Sequence, residues 1–277
     1  MLQKLMQTLP ALSDLRTLAD HEVADYQTHG WTLLRNVCAP DEIEVFGSAI
    51  REATIAHNRE TRPLAERDTY GKAFLQTMNL WRLDPAVAAF TLAPRFGHIA
   101  AQLLGCEGVR LYHDQSLFKE PGGGPTPWHQ DAFFWPLRGE RTVTMWMPLV
   151  DISAEMGSMS FADESHETGI VTSDLGISDQ SEAYFQGYID GAGYRVRTPG
   201  PMAAGDATFH NGITFHRAPG NPTDRVRAIM TVIFVADGEA VQAPSNANQS
   251  VDLHQWIPGV WPGQPVASEL NPLVFPA

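Results

Sequence analysis

Two patterns of apolar positions divide the chain. Over about the first 105 residues they recur mostly at helical spacing; from about Val109 they fall in short runs broken by Gly and Pro. A short helix is expected over roughly 18–28, ending at Gly30, followed by a strand at 31–37. Asp41 opens the next helix, with Ile43, Phe46, Ile50 and Ala53 on its buried stripe. Residues 57–72 read as a polar loop. Asp84-Pro85 supplies an N-cap with Pro in the first turn, and Leu92, Phe96, Ile99 and Leu103 form another stripe that stops at Gly105. These helices are expected to buttress a sheet.

The second pattern is clearest where Val143, Met145, Met147 and Leu149 alternate with Thr144, Trp146 and Pro148, giving a strand with one strongly apolar face. Further strands are expected at 109–119, 127–135, 158–163, 194–198, 206–210, 213–217 and 226–236. Such a set suffices for a jelly roll. Residues 164–193 show no clear periodicity and are long for a plain connection, which makes them a candidate lid. With no repeat or linker evident, the chain is expected to be one domain over 1–277: a helical part to about 105, a β core over 106–240 and a tail over 241–277.

Composition narrows the partners. A formal net charge of −13 without a basic, aromatic-rich cluster opposes binding to nucleic acid. No apolar run approaches the roughly 20 residues of a membrane span, and no signal peptide is evident, so a cytoplasmic monomer or homodimer is expected. Cys38 and Cys106 are too few for a disulfide framework and form no Cys-x-x-Cys metal pair.

The chemistry starts at Trp128-His129-Gln130-Asp131. Side chains two apart on a strand share a face, so His129 and Asp131 can grip one ion while Gln130 points away. A histidine from a distant strand would complete two His and one carboxylate on one face of an octahedron, the arrangement of non-heme Fe(II) oxygenases. His216 and His210 are both candidates. With ten His and 32 acidic residues in 277, roughly one His-x-acid pair arises by chance, so the rest of the chain must carry the assignment.

The order Lys119-Glu120-Pro121-Gly122, Trp128-His129-Gln130-Asp131, Ser165-His166, Gly205-Asp206, His216 and Arg227 resembles the phytanoyl-CoA dioxygenase family, and Gly30-Trp31 resembles that family's opening. The resemblance implies a mainly β, cupin-like double-stranded β-helix with flanking helices. It also implies that His129, Asp131 and His216 bind Fe(II) and that Arg227 binds the cosubstrate 2-oxoglutarate. Family spacing favours His216 over His210 and Arg227 over Arg225, which strand parity cannot separate. A guanidinium suits the distal carboxylate because it is planar, permanently charged and two-pronged. Iron, 2-oxoglutarate and O2 together would generate succinate, CO2 and an oxidant able to take a substrate hydrogen.

Three positions depart from the family pattern: Met156-Gly157 for Asn-Gly, Asp163-Glu164 for Pro-Gly, and Ala218 where a hydroxyl residue is common. A related halogenating group has a small residue in place of the carboxylate ligand; Asp131 argues against that chemistry.

Lys119 and Gln115 lie four apart on one strand and could both face the cavity as cosubstrate contacts. Trp146, on the polar face of its strand, is expected to point into the pocket. Phe133, Phe134 and Trp135 cannot all enter one core face, so they are candidate substrate residues. His166 reads as a structural hydrogen-bonding group; Trp256 and Trp261 could cover the pocket, with packing on the outer sheet the favoured reading. The leading function is hydroxylation of a small organic molecule, such as a natural product, with no basic cluster evident to hold a CoA ester. Desaturation, epimerisation and ring closure use the same cofactors. A non-catalytic small-molecule binder and a zinc hydrolase are the rivals from other classes.

Overall fold

The computed structural model describes residues 9–172 and 175–276. In chain order the elements are α1 (Asp20–His29), β1 (Trp31–Leu34), α2 (Pro40–His57), α3 (Thr69–Ala73), β2 (Leu75–Met78), α4 (Pro85–Thr91), α5 (Pro94–Leu104), β3 (Val109–Lys119), β4 (Thr126–His129), β5 (Thr142–Pro148), β6 (Ser160–Ala162), α6 (Asp179–Ala192), β7 (Val196–Arg197), β8 (Ala207–Asn211), β9 (His216–Ala218), β10 (Arg227–Ala236), α7 (Ala247–Trp256) and β11 (Leu273–Phe275).

The strands form a seven-stranded sheet, ordered β1-β8-β5-β10-β3-β11 with β2 also on β3, and a four-stranded sheet, β4-β9-β6-β7. All pairs are antiparallel. The result is a double-stranded β-helix. The alternation seen in β5 decides its two faces: Val143, Met145 and Met147 join the main core with Phe46, Ile50, Phe90, Phe96 and Ile99 from α2, α4 and α5. Thr144 and Trp146 turn to the opposite face and line a cavity of about 490 Å³. Among the described residues no helix is long and apolar enough to cross a membrane.

Several boundaries differ from expectation, each for a local reason. Strand 31–37 stops at Leu34, because Asn36 takes a positive φ of 52° and its N–H is held by Asp206. The stripe expected from Leu92 is interrupted by Pro94, whose ring starts α5 afresh and leaves Leu92 in the turn after α4. Strand 127–135 ends at His129, and Asp131–Phe133 is a 3-10 turn. The strand expected over 213–217 is shifted to His216–Ala218, and that over 194–198 is confined to Val196–Arg197.

Two stretches without an apolar stripe in the sequence contain helical segments. Residues 57–72 hold a 3-10 turn, Leu64–Glu66, and the start of α3, which is capped by the Asp68 side chain accepting from the Gly71 N–H. Within 164–193 lies α6, started by Ser178 and Ser181 bonding reciprocally and buried through Ser181, Phe185 and Ile189. The core is also not confined to 106–240: β1 and β2 precede it and β11 follows it, all three pairing into the larger sheet.

Candidate metal centre

His129 and His216 are direct partners across the β4–β9 ladder, so both imidazoles leave the smaller sheet on the same side. Their ring centroids lie 4.2 Å apart. Asp131 reaches them from the turn instead of from a continuous strand. Gln130 remains extended (φ −117°, ψ 126°), which preserves the i, i+2 relation that the sequence pattern requires. Its side chain does face away: it is buried, donating to Ile213 O (2.6 Å) and Gly169 O (3.0 Å) and accepting from Val171 N–H (2.8 Å). The chain then turns, with Ala132 N–H bound to Gly212 O.

One donor atom from each of His129, Asp131 and His216 lies within 4.8 Å of the other two. Both Nε2 atoms approach Asp131 Oδ1 at 3.6 Å. The opposite ring nitrogens are committed elsewhere: His129 Nδ1 is 2.8 Å from Pro127 O and His216 Nδ1 is 2.9 Å from Thr214 O. A carbonyl only accepts, so each Nδ1 carries the proton and each Nε2 keeps a free lone pair. Burial, aided by His216 at His129 and by His210 at His216, outweighs the Asp131 charge and drives both imidazoles down to about 4. Burial opposes ionisation of Asp131, but His216, His210 and His129 outweigh it and hold the carboxyl below its usual range. At neutral pH the cluster therefore offers two neutral imidazoles and a carboxylate, the protonation states a cation needs.

His210, the rival for the third position, faces the other carboxylate oxygen: its Nε2 is 3.3 Å from Asp131 Oδ2, which also accepts from Thr144 Oγ1 at 3.1 Å. Oδ1 is thereby left toward the two histidines. The sequence named His210 as a competitor without showing this supporting position.

Arg227 is 1% exposed at the start of β10 and lines the cavity. Nη1 donates to Gly157 O at 2.8 Å, the guanidinium lies 5.9 Å from the Trp146 ring centroid, and the buried Nε has no partner among the described residues. Burial lowers its pKa to about 10, so it stays charged at neutral pH. Arg225 is exposed and lies before the strand, which separates two residues that parity could not. Gly157 has φ +76°, and a Cβ there would strike Pro219; the glycine of the departed motif thus keeps a backbone role while Met156 replaces the amide.

Lys119 pairs in register with Arg227 and is fully buried, but it is absent from the cavity lining. Its Nζ donates to Gly124 O, sits 3.5 Å from Thr126 Oγ1 and lies 4.8 Å from the Phe74 ring centroid. Thr126 and Phe74, which it touches, do line the cavity. Burial, then the Arg227 charge, pushes Lys119 down to about 6. Gln115 lines the cavity and accepts from Gln76 Nε2 at 2.8 Å. Of the three aromatics after the metal cluster, Phe134 and Trp135 line the cavity; Phe133 does not, its ring lying edge-on to Phe134 at 5.1 Å.

Trp256 also lines the cavity instead of packing on the outer sheet, while Trp261 is 69% exposed. Tyr70, His113, Arg217 and Asp252 are lining residues that the sequence pattern did not single out. His166 bonds Gln27 O at 3.2 Å and packs on Gly30, where φ is +78° and a Cβ would lie 2.6 Å from its Nδ1. Asp163, in place of the family's Pro, accepts from Trp31 Nε1 at 2.9 Å. The expected lid contributes Gly176 and Ile177 to the cavity, and α6 grips β4 through Glu182 on Trp128 N–H (2.7 Å) and Gln186 on Trp128 Nε1 (2.9 Å).

Residues 26–229 match the phytanoyl-CoA dioxygenase family. The chain belongs to that family. A relative from Danio rerio, phytanoyl-CoA dioxygenase domain-containing protein 1, is 27% identical over 175 residues, which are 61% of this chain and 59% of the relative. The chain thus spans less than two thirds of that relative's length. Among solved structures, the non-heme α-ketoglutarate-dependent carbocyclase SnoK from nogalamycin biosynthesis has a TM-score of 0.73 and 25% identity, covering 94% of this chain and 99% of its own. The epimerase SnoN in complex with Fe3+, α-ketoglutarate and nogalamycin RO has a TM-score of 0.72 and 25% identity, covering 92% of this chain and 98% of its own.

Proposed function

We propose that this member of the family is an Fe(II)- and 2-oxoglutarate-dependent oxygenase that oxidises a small organic molecule, with hydroxylation as the leading outcome. The observation that carries this is the pairing of two free Nε2 lone pairs and Asp131 Oδ1 with a buried, charged and partly unpartnered Arg227 in one cavity. His129, Asp131 and His216 would hold the iron. Arg227 would take the distal carboxylate of 2-oxoglutarate, with the Lys119 side chain buried on the neighbouring strand and Gln115 and Trp146 bordering the same space. When bound, iron, 2-oxoglutarate and O2 supply the oxidant and release succinate and CO2.

The protein's own work is positional. His210 and Thr144 fix Oδ2 of Asp131, the Pro127 and Thr214 carbonyls fix the two imidazoles, and Trp146 and Met159 wall the cavity with apolar surface. Asp131 occupies the position that a halogenase leaves small, which favours oxygen chemistry. Phe134 and Trp135 are the proposed substrate contacts next to the metal, while Phe133 lies outside the cavity lining. The solved carbocyclase and epimerase support a second reading, ring closure or epimerisation with the same cofactors in natural-product metabolism. The net charge of −13 favours a small-molecule substrate over nucleic acid.

The test is anaerobic titration with Fe(II) and 2-oxoglutarate. A weak visible charge-transfer band is expected. Folded protein that gives no band would be a non-catalytic binder on this scaffold, and turnover without O2 and 2-oxoglutarate would point to a zinc hydrolase.

A further inference from the structure

The wall of the cavity built by α7 has a chemistry of its own. Asn248, Asp252, Gln255 and Trp256 recur at helical spacing on this helix and all line the cavity, together with Phe134, Trp135 and His113. Asp252 Oδ2 accepts from Tyr112 Oη at 2.8 Å, and among the described residues no cation pairs with this carboxylate. Burial pushes its carboxyl up to about 6, against hydrogen bonds from the Tyr112 and Trp256 side chains, so at neutral pH it is predominantly an anion with neutral donors and no counter-charge among the described residues.

The rings around it form a connected set: His113 lies 6.0 Å from Trp135 at 83° and 5.8 Å from Trp256 at 55°. Burial drives His113 down to about 3, which leaves it uncharged. The other charged groups of the cavity are committed. Asp131 belongs to the metal cluster, Arg227 to the cosubstrate end, and Arg217 to Glu182 at 2.6 Å. An unpaired carboxylate among aromatic faces suits one ligand class, an organic cation, through ion pairing and cation–π attraction.

We infer that the substrate carries a protonated amine or other organic cation, which pairs with Asp252 between Trp135 and Trp256 and thereby presents a neighbouring C–H bond to the metal. The inference rests on the oxygenase reading for the position of the metal. The cation site itself is built without it.

The experiment is an NMR titration of the full chain with benzylammonium, benzyl alcohol and benzoate, in the presence of Mn(II) and 2-oxoglutarate under nitrogen. Benzylammonium should bind about tenfold more tightly than benzyl alcohol, benzoate should bind weakest, and Mn(II) should broaden the bound methylene protons. In Asp252→Asn, which retains an acceptor for Tyr112, the preference for the cation should vanish while the Fe(II) and 2-oxoglutarate band persists. Equal affinity of amine and alcohol for wild type overturns the inference, whether or not the variant folds. So does a preference that survives in Asp252→Asn, or one without Mn(II) broadening in protein that gives the band. Asp252-dependent binding without the band would retain the cation site and reject the oxygenase reading.

Discussion

The two ends of the cavity are built in different ways. At the metal end His129, His216 and Arg227 sit on paired strands, and each ring or guanidinium is oriented by a backbone carbonyl. At the other end Asp252 and Trp256 ride on α7, whose start is held by side chains: Asn246 caps Gln249 N–H at 3.0 Å, and Asn246 Nδ2 and Gln249 Nε2 donate to Phe133 O at 3.1 and 3.2 Å. The first construction fixes geometry to the sheet. The second supplies a wall that can vary with the substrate while the metal cluster stays put.

The largest expected effect lies on the ladder itself. His129→Ala or His216→Ala should reduce Fe(II)-dependent succinate formation to background, measured in a coupled turnover assay with metal content determined alongside. Arg227→Ala should raise the 2-oxoglutarate concentration needed for the charge-transfer band about a hundredfold, since charge-assisted bonds are worth about 1.5–3 kcal/mol each. Arg225→Ala, at an exposed position, should leave it within about twofold. A larger effect at Arg225 would break the assignment of the cosubstrate end.

His210→Ala tests the supporting layer. Iron should still bind, with affinity lower by about tenfold, because the variant removes an orienting partner and no donor. Loss of all iron in this variant alone would exchange the roles of His210 and His216. Asn246→Ala should cost about 1 kcal/mol in thermal stability through the lost cap, without changing iron affinity. If iron affinity fell as far as in His210→Ala, the two ends would not be separable. Trp261→Ala should be the mildest, within about 0.5 kcal/mol by denaturant melt.

The difference between the ends also explains what could be read from residues alone. The metal end is written in short spacings and strand order: His129-x-Asp131, the distal His216 and Arg227 all reach the cavity. What the pattern lacked there was exposure, which separates Arg227 from Arg225, and depth, which buries Lys119 outside the cavity lining. The α7 end left little trace because its inward face is largely polar; Asn248, Asp252 and Gln255 do not make an apolar stripe. Likewise α6 buries only Ser181, Phe185 and Ile189, too sparse a stripe to mark a helix within 164–193. The strand expected over 127–135 ends early because, although Phe133, Phe134 and Trp135 favour strands, Gln130 and the Gly212 carbonyl turn the chain at Asp131.

The clasp between the two ends closes on Phe133 O, and an oxygen of the main chain is present whatever side chain stands at that position. Residues 133 to 135 can therefore be exchanged over evolutionary time, reshaping the wall next to the metal, without deleting the acceptor that seats α7. Selection for a new substrate has two neighbouring surfaces to rewrite, and the joint between them is encoded by the backbone.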